Sequence, residues 1–219
     1  LTKGDSGTDP DIANTTVDRL LTENVDAIVG AAASGITGSV IEKITSAGVT
    51  QCSPSNTAAG LGTSGDDGYY FRTAPSDDLQ APALANVVLG DGYTNVAVVS
   101  RADDYGVGFN AEFEPAVAAG GGTIVYSEPY APESTSFDDV VADVIASGPD
   151  AVVIVAFEEG VQLIQAMIEQ GAGPQDQRAS PGHHEPGLES CKSPAHPVRA
   201  SPATPGPNPW RRHWHSQVG

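Results

Sequence analysis

Histidine and tryptophan are missing from the first 177 residues of this 219-residue chain, and that stretch holds only five basic side chains, Lys3, Arg19, Lys43, Arg72 and Arg101. Without histidine a Ser-His-Asp triad cannot be assembled there, so a hydrolytic serine would lack its usual base. Scarce cations have a second consequence. Ten Lys+Arg against 28 Asp+Glu give a formal net charge of -18, which repels nucleic-acid phosphates and anionic lipid surfaces. Cysteine is nearly absent too, and Cys52 and Cys191 form neither a metal-ligand pair nor a disulfide framework. No apolar run reaches the roughly 20 residues that cross a bilayer. Leu1 follows no methionine and no basic or apolar leader, so the native N-terminus is expected upstream.

Composition changes near Gln177. Residues 178–219 carry all five His, both Trp and eight of the 17 Pro, with no period of 2 or 3.6 among their apolar residues. Such a segment cannot bury enough surface to offset its ordering entropy and is expected to be disordered. So abrupt a switch is also what out-of-frame translation of a GC-rich gene yields. His183, His184, Glu185, Cys191 and His196 match no zinc-ligand spacing.

Before the break, helix and strand patterns alternate. Asp9-Pro10 reads as an N-cap and first helical position, with Ile12, Val17, Leu20, Leu21 and Val25 on one apolar face. Short apolar runs over 26–30 and 49–52 flank a helix bearing Ile36, Val40, Ile41 and Ile44, which makes two βα units. Ser76 reads as the cap of the next helix, Asp77 and Asp78 as its first-turn acids, and Leu84, Val87 and Val88 as its buried face. Strands are expected over 95–100, 123–127 and 151–156, with helices over 108–118, 136–146 and 159–170. Continuous Val/Ile/Ala runs suit strands covered on both faces, so the expected fold class is α/β, doubly wound around parallel sheets. The aromatic run Tyr69-Tyr70-Phe71, followed by Arg72-Thr73-Ala74-Pro75, reads as a crossing strand between lobes rather than another βα unit.

Ligands of open parallel sheets sit beyond the carboxyl ends of the strands, which singles out four loops. Small residues over 31–33 lead to Ser34 at a helix start, where free amides and the dipole favour a carboxylate; the alternative is that Ser34 only caps its helix. Ser53-Pro54-Ser55-Asn56-Thr57 is a polar turn able to grip a zwitterion, or a plain connector. Tyr105, after Asp103-Asp104, suits a cleft that covers an apolar group while offering a hydrogen bond, or packs its own loop. Phe157-Glu158-Glu159 offers an aromatic wall and carboxylates. The neighbouring acids Asp103/Asp104 and Glu158/Glu159 read as solvated edges rather than acid/base pairs. Gly120-Gly121-Gly122 precedes a strand instead of following one, the wrong order for a dinucleotide loop.

Four motifs occur in order: Ala33-Ser34-Gly35, Ser53-Pro54-Ser55-Asn56-Thr57, Phe71-Arg72-Thr73-Ala74-Pro75-Ser76-Asp77 and Asp104-Tyr105-Gly106. At these separations the set resembles the Leu/Ile/Val-binding, branched-chain amino-acid proteins of ABC transporters, within the type I periplasmic-binding fold. The resemblance covers residues 5–173. It implies two partial lobes: 1–72, without the family's opening strand and helix, and 73–177, including the first hinge crossing. It further implies a non-enzymatic extracytoplasmic receptor that closes on a branched-chain or similar small amino acid and passes it to a membrane permease. Such a receptor acts as a monomer, needs no cofactor or metal, and binds no nucleic acid. By the same resemblance Ser34, Ser55 and Thr57 hold the ligand's carboxylate and ammonium, while Tyr105 and Phe157 close over it. Amides, urea or another small polar ligand are alternatives within this fold, as is a sensory receptor ectodomain.

Overall fold

Asp9 starts the first helix as its chemistry requires: its carboxylate accepts from the amides of Asp11 and Ile12 at 2.9 and 3.0 Å, and Pro10 needs no partner at the first helical position. The computed structural model describes residues 1–172; the expected tail over 178–219, with its histidines and Cys191, lies outside the described residues. From Asp9 the order is α1 (Pro10–Thr22), β1 (Ala27–Val29), α2 (Ser34–Ser46), β2 (Thr50–Ser53), a 3-10 turn (Ala59–Gly62) and β3 (Tyr70–Arg72). These strands form one sheet in the order β1-β2-β3, parallel throughout. Ala13, Val17, Ile36, Val40 and Ile44 make a core between α1 and α2, against which Ile28 of β1 packs.

The aromatic run supplies the third strand of this sheet, with Cys52 opposite Phe71. Its anchor is Tyr70, whose ring is buried with Ile41, Ala58 and Leu61 and whose hydroxyl donates to Asn56 Oδ1 at 3.0 Å. Residues 73–76 leave this sheet, and the helix that follows packs on the second one.

The second set runs α3 (Asp77–Gly90), β4 (Asn95–Arg101), α4 (Asp104–Ala119), β5 (Thr123–Tyr126), β6 (Pro129–Tyr130), α5 (Asp138–Ser147), β7 (Ala151–Val155) and α6 (Gly160–Glu169). β4 is the centre: β5 pairs with its start, β6 with its end and β7 along its length, all parallel. Alternate β4 residues face opposite ways. Val96 and Val98 join Ala81, Ala85, Phe109, Phe113 and Val117 of α3 and α4, while Ala97 and Val99 join Val141, Val144, Leu163 and Met167 of α5 and α6. Helices therefore cover both faces, which is why these strands read as unbroken apolar runs. Full burial of each valine contributes about 1.5 to 3 kcal/mol.

Helix starts differ from expectation in informative ways. α4 begins at Asp104 rather than near 108, because the Asp103 carboxylate accepts from the amides of Tyr105 and Gly106 at 3.1 and 2.9 Å. Ser76 holds the N-cap position of α3, but its hydroxyl makes no capping bond. Because every strand is parallel within its sheet, the turns that follow β1, β2, β4 and β7 leave from carboxyl ends, where ligand sites form.

Candidate functional site

Short polar side chains tie together the turns after β1 and β2. Ser53 Oγ donates to the Ala31 carbonyl at 2.8 Å and accepts from the Asn56 amide at 3.2 Å. Asn56 Nδ2 and Ser55 Oγ both donate to the Ala32 carbonyl, at 2.8 and 2.9 Å. Ser34, 4% exposed, accepts at Oγ from the amides of Thr57 and Ala58 at 3.2 and 3.3 Å. It is thus the first helical residue of α2 rather than its cap, which is Ala33. The structure joins Ser34 to Thr57 directly; Ser55 is exposed and its hydroxyl is engaged by Ala32.

Two atoms in this region stand out. Thr57 Oγ1 and Asp77 Oδ2 are buried and have no hydrogen-bond partner among the described residues, although the Asp77 amide donates to the Thr57 carbonyl at 2.8 Å. Burial pushes the Asp77 carboxyl up, and the Thr57 hydroxyl and Arg72 guanidinium beside it pull only partly the other way. The hydroxyl is therefore near enough to temper the acid without forming a well-directed bond to it. Leaving such an acceptor unsatisfied costs about 1 to 3 kcal/mol.

On the second sheet, Tyr105 and Phe157 stack with ring centroids 5.6 Å apart and planes 6° from parallel. The Arg101 guanidinium carbon lies 4.2 Å from the Phe157 ring centre. Arg101 Nε donates to Asp103 Oδ2 at 2.8 Å and Nη1 donates to Glu159 Oε1. The same Glu159 oxygen accepts from the Tyr130 hydroxyl at 2.7 Å and the Phe157 amide at 3.3 Å. Burial pushes the Glu159 carboxyl up, but hydrogen bonds from Tyr130, its own amide, Arg101 and Phe157 outweigh that and hold it below the usual range. Burial raises the Tyr105 phenol, and the charges of Asp77 and then Asp103 raise it further. Asp77 is thus electrostatic neighbour to both Thr57 and Tyr105.

A cleft of about 700 Å³ runs between α2 and α4, lined by Ser34, Ala58, Asp103 and Asp104 among others. At its edge a Cβ on Gly35 would stand 3.4 Å from Asp104 Oδ2, so the glycine lets the first turns of the two helices approach.

Sequence reasoning missed the buried acid Asp77 and, separately, the cluster of Arg101, Glu159 and Tyr130. Asp77 closes the run Phe71–Asp77, where the local pattern marks it only as a first-turn acid. The solvated-edge reading holds for Asp104 and Glu158, which are exposed. It fails for Asp103, which caps α4 and pairs with Arg101, and for Glu159, whose side chain is 12% exposed.

The sequence model of the family described as Periplasmic binding protein matches residues 1–209, and the chain belongs to that family. Its fold is the type I periplasmic-binding fold, a family of solute-binding proteins rather than enzymes. Among similar proteins is the chemotactic signal transduction system substrate-binding protein BasB of Halobacterium salinarum, 32% identical over 161 residues, covering 69% of this chain and 38% of BasB. Leucine-binding protein LivK of Thermotoga maritima MSB8 superposes with a TM-score of 0.71 at 23% identity, covering 77% of this chain and 49% of LivK. An ABC-transporter solute binding protein from R. palustris, solved with 4-hydroxybenzoate, gives a TM-score of 0.69 at 19% identity, covering 74% of this chain and 45% of that one. The chain spans less than half the length of these relatives.

Proposed function

We propose that this chain is part of an extracytoplasmic solute receptor whose two lobes, 1–72 and 73–177, close by a hinge on a small amino acid. The observation that carries this reading is that Asp77 Oδ2 and Thr57 Oγ1 are buried without a well-formed hydrogen bond among the described residues, with the Asp77 charge felt by the Tyr105 phenol. A ligand ammonium supplies the missing donors and charge. The ligand carboxylate then docks at the start of α2, where helix geometry leaves the amides of the first turn without helical partners and the Ser34 hydroxyl still has a proton to donate. Ser55 contributes from the rim of the same turn. Tyr105 and Phe157 cover the side chain, and their aromatic surface suits a branched aliphatic group. By this reading a membrane permease receives the ligand, no cofactor or metal takes part, and the receptor works as a monomer outside the cytoplasm.

BasB, named for a chemotactic signal transduction system, supports a second reading in which a membrane transducer senses the closed form. The ligand chemistry is the same in both. Calorimetric titration of the whole protein with leucine, isoleucine, valine, short amides, urea and 4-hydroxybenzoate separates the ligand classes. Binding of an amino acid, lost in Asp77→Asn, is the expected result. Silence from every amino acid together with binding of 4-hydroxybenzoate or urea overturns it, and turnover of any ligand restores the enzyme reading.

A further inference from the structure

The Tyr105–Phe157 stack is held from behind by groups that no ligand needs to touch. Arg101 ends β4, and its side chain is 9% exposed. Its guanidinium does three things at once: it covers the Phe157 ring at 4.2 Å, bonds Asp103 at the cap of α4, and bonds Glu159 at the cap of α6. Asp103 in turn fixes the amide of Tyr105, and Glu159 fixes the amide of Phe157. Tyr130 adds a third donor to Glu159 from β6. A planar fork of five donors suits this geometry; a lysine ammonium, a point charge on a flexible stem, cannot bond two carboxylates and stack on a ring together.

We propose that Arg101 is the positioning residue of the ligand wall, locking the turns after β4 and β7 so that Tyr105 and Phe157 stand parallel before a ligand arrives. This rests on the reading of the two rings as the wall of the site. Its effect on affinity is one of preorganisation: a wall already ordered loses less side-chain freedom on binding.

The test compares Arg101→Lys, Phe157→Leu and the double variant of the whole protein, using near-ultraviolet circular dichroism of tyrosine and calorimetry with L-leucine and 4-hydroxybenzoate as probes. Arg101→Lys should shift the tyrosine signal toward that of Phe157→Leu while leaving the far-ultraviolet spectrum unchanged, and should weaken probe binding about tenfold. In the Phe157→Leu background the same substitution should change both readouts by clearly less, because the branch of its action through Phe157 is gone and only the branch through Asp103 to Tyr105 is left. A wild-type tyrosine signal in Arg101→Lys overturns the proposal. So does an affinity loss of equal size in both backgrounds, which marks a general structural role. If Arg101→Lys fails to fold, Glu159→Gln, which keeps an acceptor of the same shape, takes its place with the same expected direction in both readouts. Should neither probe bind the wild type, leucine is excluded as the ligand, while the dichroism still decides the role of Arg101.

Discussion

Gly106 stands so close to the backbone of Arg101 that a Cβ there would lie 2.2 Å from the Arg101 carbonyl oxygen and 2.8 Å from its amide nitrogen. The start of α4 is thereby pressed onto the end of β4, and that contact sets where Tyr105 leaves the backbone. Gly106→Ala is expected to destabilise the fold by about 2 kcal/mol through overpacking, more than the helix-propensity gain of roughly 1 kcal/mol returns. Gly108→Ala is the control, since its methyl would meet only the Ala58 Cβ at 4.0 Å. Equal urea midpoints for the two variants would refute the clash.

Asp77→Asn should stabilise the protein while removing ligand binding. The folded carboxyl titrates above the ordinary 3.8 of an aspartate, so the ionised native state is penalised. That penalty is absent below the unfolded value and grows as pH rises through the raised folded value. At neutral pH the asparagine variant should therefore melt higher, by on the order of 1 kcal/mol in stability, and the gap should close in acid. A variant that melts lower at neutral pH yet binds leucine normally would contradict both halves.

Glu159→Gln runs the other way. The native carboxyl titrates below the ordinary 4.5 of a glutamate, so its contribution is present above that value and lost as pH falls through the lowered folded value. Denaturant unfolding at neutral pH should show a loss of about 3 kcal/mol, as expected when one partner of a largely buried ion pair is removed. Near pH 3 the difference from wild type should shrink. A loss independent of pH would mean that packing, not charge, is what Glu159 supplies.

Phe113 is fully buried and stacked on Phe109 at 5.6 Å between ring centres. Phe113→Ala should cost about 3 to 5 kcal/mol. By contrast Val161→Ala, at a residue 70% exposed, should stay within roughly 0.5 kcal/mol. Chemical denaturation of the two variants side by side checks the placement of the second core.

Periodicity made much of the architecture legible. The Val96-Ala97-Val98-Val99 run announced a strand covered on both faces, and Asp9-Pro10 announced α1, because both signals are local. The pairing of β3 beside β2 was not legible, because what holds Tyr70 is a tertiary contact: its hydroxyl meets Asn56, 14 residues earlier, and an aromatic run carries no mark of that. The site divides along the same line. Ser34 and Thr57 could be singled out from strand-end turns, and the structure joins them across 23 residues. The Arg101–Glu159 pair spans 58 residues, and nothing in the local composition distinguishes Glu159 from its exposed neighbour Glu158. Burial, which decides whether an acid works or merely solvates, depends on packing that spacing alone does not encode.

On the proposed reading of the site, the parallel strand arrangement separates what keeps the protein folded from what it recognises. Valines inside β4 and β7 form the scaffold, whereas Ser34, Thr57 and Tyr105 lie just past strand termini, where the chain is already turning. Retuning selectivity would thus mean exchanging a handful of turn residues over an unaltered interior, with Asp103 and Glu159 as the positions where such editing would begin to disturb the scaffold itself.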